Sequence, residues 1–378
     1  MNTFSFNTVP SLMCEWGGAP SLGRLLAARF AARRALIVTF ASFVRRGRLA
    51  PVLAGLEKEG FSVAVYDKVV ADPPEQLVQD CVRLARESGT DIVIGLGGGS
   101  SLDVAKLVAV LARNDQPLST IYGVDQVAGD RLPLVQVPTT AGTGSEVTPI
   151  SIVTTGATTK MGVVAPQLYA DLALLDAELT VDLPPLHTAA SGIDAMVHAI
   201  EAYTTRLKKN PVSDALARDA LRILAANLVA ACRDGSNRAA REAMLIGSTL
   251  AGQAFANAPC AAVHALAYPL GGHFHISHGL SNALMLGPVM RFNRPAAERA
   301  YAELGAVLGM GGGAEGFILG LDALMSQSGA PRRLRDAGVT AGMLPVLAAD
   351  AMKQTRLLQN NPVEVTEADA LRLYEEAF

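Results

Sequence analysis

Four side chains in the second half of the chain could together hold a divalent metal ion. In Gly192-Ile193-Asp194-Ala195-Met196-Val197-His198 a carboxylate and an imidazole stand four residues apart, and positions i and i+4 share one face of a helix, where both can turn to one ion. Val263-His264-Ala265 and Ser277-His278-Gly279 add two histidines in apolar or glycine-rich settings. Each residue alone has an ordinary explanation, since an Asp and a His at this spacing are commonly a surface pair and a lone histidine is commonly a core group. The grouping is sharper, because five of the six histidines fall at 198, 264, 273, 275 and 278. His273 and His275 are alternatives to the set, expected to line a cleft. His187 is expected to be structural.

A second chemistry is suggested by Gly97-Gly98-Gly99-Ser100-Ser101-Leu102-Asp103, where an apolar strand-like run passes into a helical pattern. Glycines at such a turn let the backbone approach a pyrophosphate, and the free N–H groups and dipole of the helix start stabilise its charge. The run is neither G-x-G-x-x-G nor a Walker loop, so a plain glycine turn is the competing reading. The polar loop Pro138 to Glu146, with Thr139, Thr140 and Thr143, offers hydroxyls and glycine N–H groups to a nucleotide, although such turns are common without ligands.

The elements that must position these groups differ between the two halves. Residues 35–39, 62–66 and 91–96 read as buried strands separated by amphipathic segments near 44–58 and 74–88, the spacing of βαβ units on a parallel sheet. A helical pattern covers 101–112, and further strands are expected at 134–137, 148–154 and 172–175. From Pro184 the chain turns into long Ala- and Leu-rich helices, including 187–204, 212–232 and 238–256. Leu183-Pro184-Pro185 is the natural boundary, because proline interrupts regular structure. The expectation is an α/β dinucleotide-binding domain over 1–183 and an all-helical metal-binding domain over 184–378.

With 378 residues, half of them hydrophobic and 18% charged, the chain can bury two substantial cores. Its net charge of −3, without blocks of like charge, lacks the basic footprint of nucleic-acid binding. No stretch has the length and apolarity of a membrane span and the opening lacks a signal pattern, so a cytoplasmic protein acting on small molecules is expected. The four scattered cysteines suggest neither a disulfide framework nor a zinc site.

The glycine turn with Asp103, Ala105 and Lys106, the run from Thr139 to Thr148, Gly192-x-Asp194-Ala195-x-x-His198-Ala199-x-Glu201 and His278-Gly279-x-x-Asn282-Ala283 resemble the iron-containing, or group III, alcohol dehydrogenases. The likeness extends over nearly the whole chain, to Asn361-Pro362 and the segment after it. It implies a dehydroquinate synthase-like architecture: an α/β dinucleotide-binding domain, an all-α second domain, and a cleft between them holding the metal beside a nicotinamide. It implies Asp194, His198, His264 and His278 as ligands of one divalent ion, Fe2+ first and Zn2+ second. For NAD or NADP it implies Gly97, Gly98, Gly99, Ser100, Asp103, Thr139, Thr140, Thr143 and Lys160, with Asp72 in a slot where the family often has Asn. A homo-oligomer, with a dimer favoured, is expected.

Two positions depart from the family pattern. Phe40 follows Thr39 where members commonly carry Asp, whose carboxylate holds the adenosine ribose and repels a 2′-phosphate. With Arg33, Arg34, Arg45 and Arg46 near in sequence, use of NADPH becomes an option beside NADH. Tyr268 stands where many members have a second histidine thought to relay a proton, so Tyr268 is the candidate catalytic side chain, although an ordinary tyrosine has a pKa of about 10. Tyrosine here also resembles the hydroxyacid-oxoacid transhydrogenase branch. The main expectation is thus an NAD(P)-linked alcohol dehydrogenase or aldehyde reductase. A hydroxy-acid dehydrogenase or transhydrogenase of the 4-hydroxybutyrate type is the alternative, and maleylacetate reductase and a dehydroquinate synthase-like lyase fit less well.

Overall fold

A computed structural model describes residues 3–156 and 159–378. The chain divides into two compact units, one of Thr8–Thr140 and Ser145–Val181, the other of Asp182–Phe378 with Ala141–Gly144 and the chain start through Asn7. The sequence-based boundary at 183/184 gave the chain start and the 141–144 loop to the α/β unit. The chain start joins the helices because Asn257 clamps it, accepting from Asn7 N at 2.7 Å and donating Nδ2 to Asn7 O at 2.9 Å.

The first unit is built on strands β1 (Leu12–Cys14), β2 (Arg34–Val38), β3 (Ser62–Tyr66), β4 (Ile92–Gly97), β5 (Gly123–Val124), β6 (Leu134–Pro138), β7 (Ile150–Thr155), β8 (Thr159–Val164) and β9 (Leu172–Leu175). Six form a parallel sheet in the order β1-β9-β6-β4-β2-β3. Side chains alternate across it: Leu36, Val38 and Val93 enter one apolar core, Ala35, Ile37, Ile92 and Ile94 the other. Burial on both faces explains why these strands read as unbroken apolar runs. Helices α1 (Leu22–Arg29), α2 (Ala41–Arg45), α3 (Ala50–Lys58), α4 (Glu75–Glu87) and α5 (Gly99–Leu111) accompany the strands. The expected amphipathic segment 44–58 is in fact two helices, parted by Gly47 at φ 72°. The small sheet β5-β8-β7 has an antiparallel β7–β8 pair, of which only β7 was anticipated.

The second unit contains α6 (Pro185–Thr204), α7 (Pro211–Arg233), α8 (Arg238–Asn257), α9 (Ala262–Phe274), α10 (His278–Val307), α11 (Gly313–Ser328), α12 (Leu344–Ala351), α13 (Thr355–Leu358) and α14 (Glu367–Ala377). From Thr188 to Tyr203 nearly every residue of α6 is buried, as befits a helix surrounded by others, and it packs on α7, α8 and α10. No described helix is long and apolar enough to cross a membrane.

Candidate functional site

Helix α6 carries Asp194 and His198 one turn apart, and two further helices bring histidines to them. His264 lies in the first turn of α9, and His278 is the first residue of α10. Gly279 makes the last approach feasible: a Cβ there would sit 2.5 Å from the Ala190 carbonyl oxygen on α6. One donor atom from each of Asp194, His198, His264 and His278 lies within 4.8 Å of the others. Nε2 of His198 and Nε2 of His264 are 3.0 Å apart, and His278 Nε2 is 3.6 Å from Asp194 Oδ1. Asp194, His198 and His264 are buried, whereas the His278 side chain is 35% exposed, so the centre opens on its His278 flank.

The surroundings fix this group. The Phe255 ring stacks on His198, with centroids 4.2 Å apart. Asn282, one turn beyond His278, donates Nδ2 to Asp194 Oδ1 at 2.6 Å and stands 3.2 Å from His264 Nε2 and 3.3 Å from His278 Nε2; its Oδ1 is buried without a hydrogen-bond partner. Glu201 accepts from Ala261 N, Val263 N and His264 Nδ1 at 3.0, 2.7 and 2.6 Å. Sequence reasoning placed Glu201 and Asn282 within the family motifs but gave neither a role, although each lies one turn from a predicted ligand.

The electrostatics suit a cation. Burial by itself would raise the Asp194 pKa, but His198, His278, His264 and the Asn282 amide outweigh it and hold the carboxyl below its usual value. Burial, with His264 and His278 nearby, pushes His198 down to about 3 against the pull of Asp194, which keeps its lone pair free. For His264, burial opposes the charged form, while Cys260 and Glu201 raise the pKa well above the ordinary value. Burial also pushes the Cys260 thiol up, so the thiol stays neutral and Glu201 is the effective charge. One carboxylate and three imidazoles are a donor set for a borderline divalent metal, and the residues present fit one.

The other histidines lie elsewhere. His273 Nε2 is 3.1 Å from Asp350 Oδ2, and His275 is an exposed residue at φ 54° that ends α9. Neither joins the four-residue cluster: His273 is engaged by Asp350, and His275 terminates α9. His187, expected to be structural, is exposed in the first turn of α6. Tyr268 is half-buried, its ring centroid 5.9 Å from that of His278, on the exposed flank of the centre.

In the α/β unit, β4 ends at Gly97, Gly98 caps α5 without a side-chain cap, and Gly99 and Ser100 form its first turn. The first N–H groups of a helix have no partner within it. A Cβ on Gly97 would lie 2.6 Å from Ser101 Oγ and 3.2 Å from Phe40 Cδ1, so this turn requires glycine. Thr139 N donates to Gly97 O at 2.9 Å, and the Thr140 hydroxyl would lie 3.6 Å from a Cβ on Gly98. Thr143 belongs with the helical unit.

Three predicted cofactor residues have structural occupations. Asp103 accepts from Ser145 Oγ at 2.6 Å and Ile152 N at 2.9 Å, with Lys106 Nζ 3.5 Å away. Its carboxylate latches the hydroxyl loop to α5. Lys160 and Asp72 form an ion pair, and Asp72 has a φ of 51°, a left-handed conformation that Asn and Asp tolerate best. An Asn, which the family resemblance leads one to expect at that slot, would tolerate the same backbone. Phe40 packs beside Phe43 at 5.7 Å between centroids and follows the C-terminal end of β2. Arg33 and Arg34 adjoin its other end, about 17 Å away at about 3.3 Å per residue, with Arg33 donating to Phe30 O and Ala32 O and Arg34 paired with Asp91. Proximity in sequence to Phe40 thus does not become proximity in space for these two arginines.

Comparison with known proteins agrees with this anatomy. The family described as "Iron-containing alcohol dehydrogenase" matches residues 10–177, and "Fe-containing alcohol dehydrogenase family, C-terminal" matches 188–378. A long-chain-alcohol dehydrogenase 1 of Geobacillus thermodenitrificans (strain NG80-2) is 42% identical over 363 residues, covering 93% of this chain and 91% of its own. A crystal structure of a 1,3-propanediol oxidoreductase superposes with a TM-score of 0.95 at 32% identity, over 100% of both chains. A sulfoacetaldehyde reductase from Bifidobacterium kashiwanohense, solved with NAD+, has a TM-score of 0.90 at 26% identity, over 100% of this chain and 99% of that one.

Proposed function

The chain belongs to the iron-containing alcohol dehydrogenase family and is an oxidoreductase acting on CH–OH groups, and we propose that it interconverts a small alcohol and its aldehyde using a nicotinamide dinucleotide. The observation that carries this reading is the convergence of Asp194, His198, His264 and His278 within 4.8 Å. These residues would hold Fe2+, and the same donors accept Zn2+. A cation so held supplies Lewis acidity toward the substrate oxygen, and the nicotinamide supplies or accepts the hydride. Gly98, Gly99 and Ser100 would orient the pyrophosphate through the N–H groups of the α5 start, helped by Thr139 and Thr140. The relative solved with NAD+ supports that dinucleotide. We take the enzyme to be cytoplasmic and a homodimer.

A hydroxy acid is the second reading, favoured by tyrosine at position 268. Protein loaded with Fe2+ or Zn2+ should be assayed with NADH and NADPH against short and long aldehydes and against semialdehyde acids. Reduction of uncharged aldehydes with the higher kcat/KM is expected, and a marked preference for the acids would overturn the proposal in favour of the second reading.

A further inference from the structure

We infer that Glu201 is a positioning residue of the metal centre, which fixes the tautomer and ring orientation of His264 so that Nε2, not Nδ1, is the nitrogen offered to the cation. The inference rests on the metal-centre reading above. Glu201 lies seven residues after Asp194 and three after His198, on the ligand-bearing face of α6, yet it is not one of the four converging donors. Both of its oxygens are occupied. Oε1 accepts from Val263 N at 2.7 Å, and Oε2 accepts from Ala261 N at 3.0 Å and His264 Nδ1 at 2.6 Å.

A carboxylate that takes two backbone N–H bonds is an acceptor, so the third partner must donate and the His264 proton resides on Nδ1. With Nδ1 so committed, Nε2, which stands 3.0 Å from His198 Nε2, is the nitrogen whose lone pair a bound cation would take in place of a second proton. Glu201 also replaces a missing cap. Helix α9 begins after Ala261, which has no capping side chain, and the carboxylate reaches from α6 to the first N–H groups, where an anion is stabilised by the helix dipole. One side chain therefore couples where α9 starts to which nitrogen His264 presents. A buried helix cap with no bearing on the metal is the rival account.

Glutamine at 201 separates the two. Three donors converge on two oxygens, and an amide offers only one acceptor oxygen, so in either orientation its NH2 faces an N–H group or forces His264 to accept at Nδ1. Zn2+ affinity of wild type and Glu201→Gln should be measured by competition with a chelating dye, beside melting temperature and NADH titration by fluorescence. The expected result is Zn2+ binding weakened by about 10 to 100-fold, the scale for losing such an outer partner, with NADH affinity unchanged. Equal Zn2+ affinity, with only a lower melting temperature, would overturn the inference. A wild type that binds no Zn2+ would overturn the metal-centre reading as well, which distinguishes the two failures. Should the variant not fold, 15N NMR of histidine-labelled, Zn2+-loaded wild type decides: a proton on His264 Nδ1 supports the assignment, and a proton on Nε2 overturns it.

Discussion

The glycine turn of the α/β unit and the metal cluster of the helical unit are built by opposite means. The turn is local: Gly97 to Ser100 are consecutive, their working groups are backbone N–H, and their requirement is steric, since Ser101 and Phe40 leave no room for a Cβ at Gly97. The cluster is assembled from three helices and from positions up to 84 residues apart, and its working groups are side chains held by Glu201, Asn282 and Phe255. Damage to the first should act through backbone geometry, and damage to the second through lost donors. Each should leave the other's ligand in place.

The largest effect is expected from the cluster. His264→Ala or Asp194→Ala should abolish turnover and strip the metal, while NADH binding measured by fluorescence largely survives. Metal content and NADH titration on the same sample test this, and full activity in a metal-free His264→Ala protein would sink the metal mechanism. Next comes the turn. Gly97→Ala forces a Cβ to 2.6 Å from Ser101 Oγ, and overpacking of this kind costs about 1–3 kcal/mol. Urea unfolding should report that loss and NADH affinity should fall, with Zn2+ content unchanged. If the metal left too, the two sites would not be independently built.

A smaller and more selective effect is expected at Phe40. A carboxylate within a few Å of a 2′-phosphate costs about 1–4 kcal/mol at effective dielectrics of 80 to 20, so Phe40→Asp should shift preference toward NADH from a modest discrimination in the wild type. Because the ring packs on Phe43 and beside Gly97, some affinity for both dinucleotides should go with it. Steady-state constants for both decide the matter. A wild type that already rejects NADPH by orders of magnitude, and is unmoved by the substitution, would refute this account of the position.

The same contrast explains what could be read from the residues alone. The parallel strands were legible because burial on both faces leaves unbroken runs such as Leu36 to Val38, and the turn because its residues are contiguous. The four converging residues were legible by type, and Asp194 and His198 by their i, i+4 spacing as well. The role of Glu201 was not, because its partners include the N–H groups of Ala261 and Val263, which leave no mark on side-chain identity. Nor was the diversion of Asp103 to Ser145 and Ile152, or the pairing of Asp72 with Lys160, since both depend on how β7 and β8 fold back. The break at Gly47 was missed for a simpler reason, as the apolar spacing continues across it.

The smallest effect on rate is expected at Tyr268, on the exposed flank that the turn has no counterpart for. Its ring lies beside His278, centroid to centroid 5.9 Å, and one helical turn from His264, so it is placed to shape the pocket without being one of the four converging donors. A proton released on alcohol oxidation can leave through water on the same flank, where the His278 side chain is 35% exposed. Tyr268→Phe should therefore keep the best rate and the metal content nearly intact and change the ranking of substrates. A proton relay through the hydroxyl would instead lower turnover by about 10 to 10⁴-fold, with an altered pH–rate profile. A mere packing role would lower the melting temperature and leave both kinetics and ranking alone. Measuring pH–rate profile, substrate panel and melting curve on that one variant separates the three, and a fall in turnover beyond tenfold with metal retained would make Tyr268 a catalytic residue rather than a wall of the site.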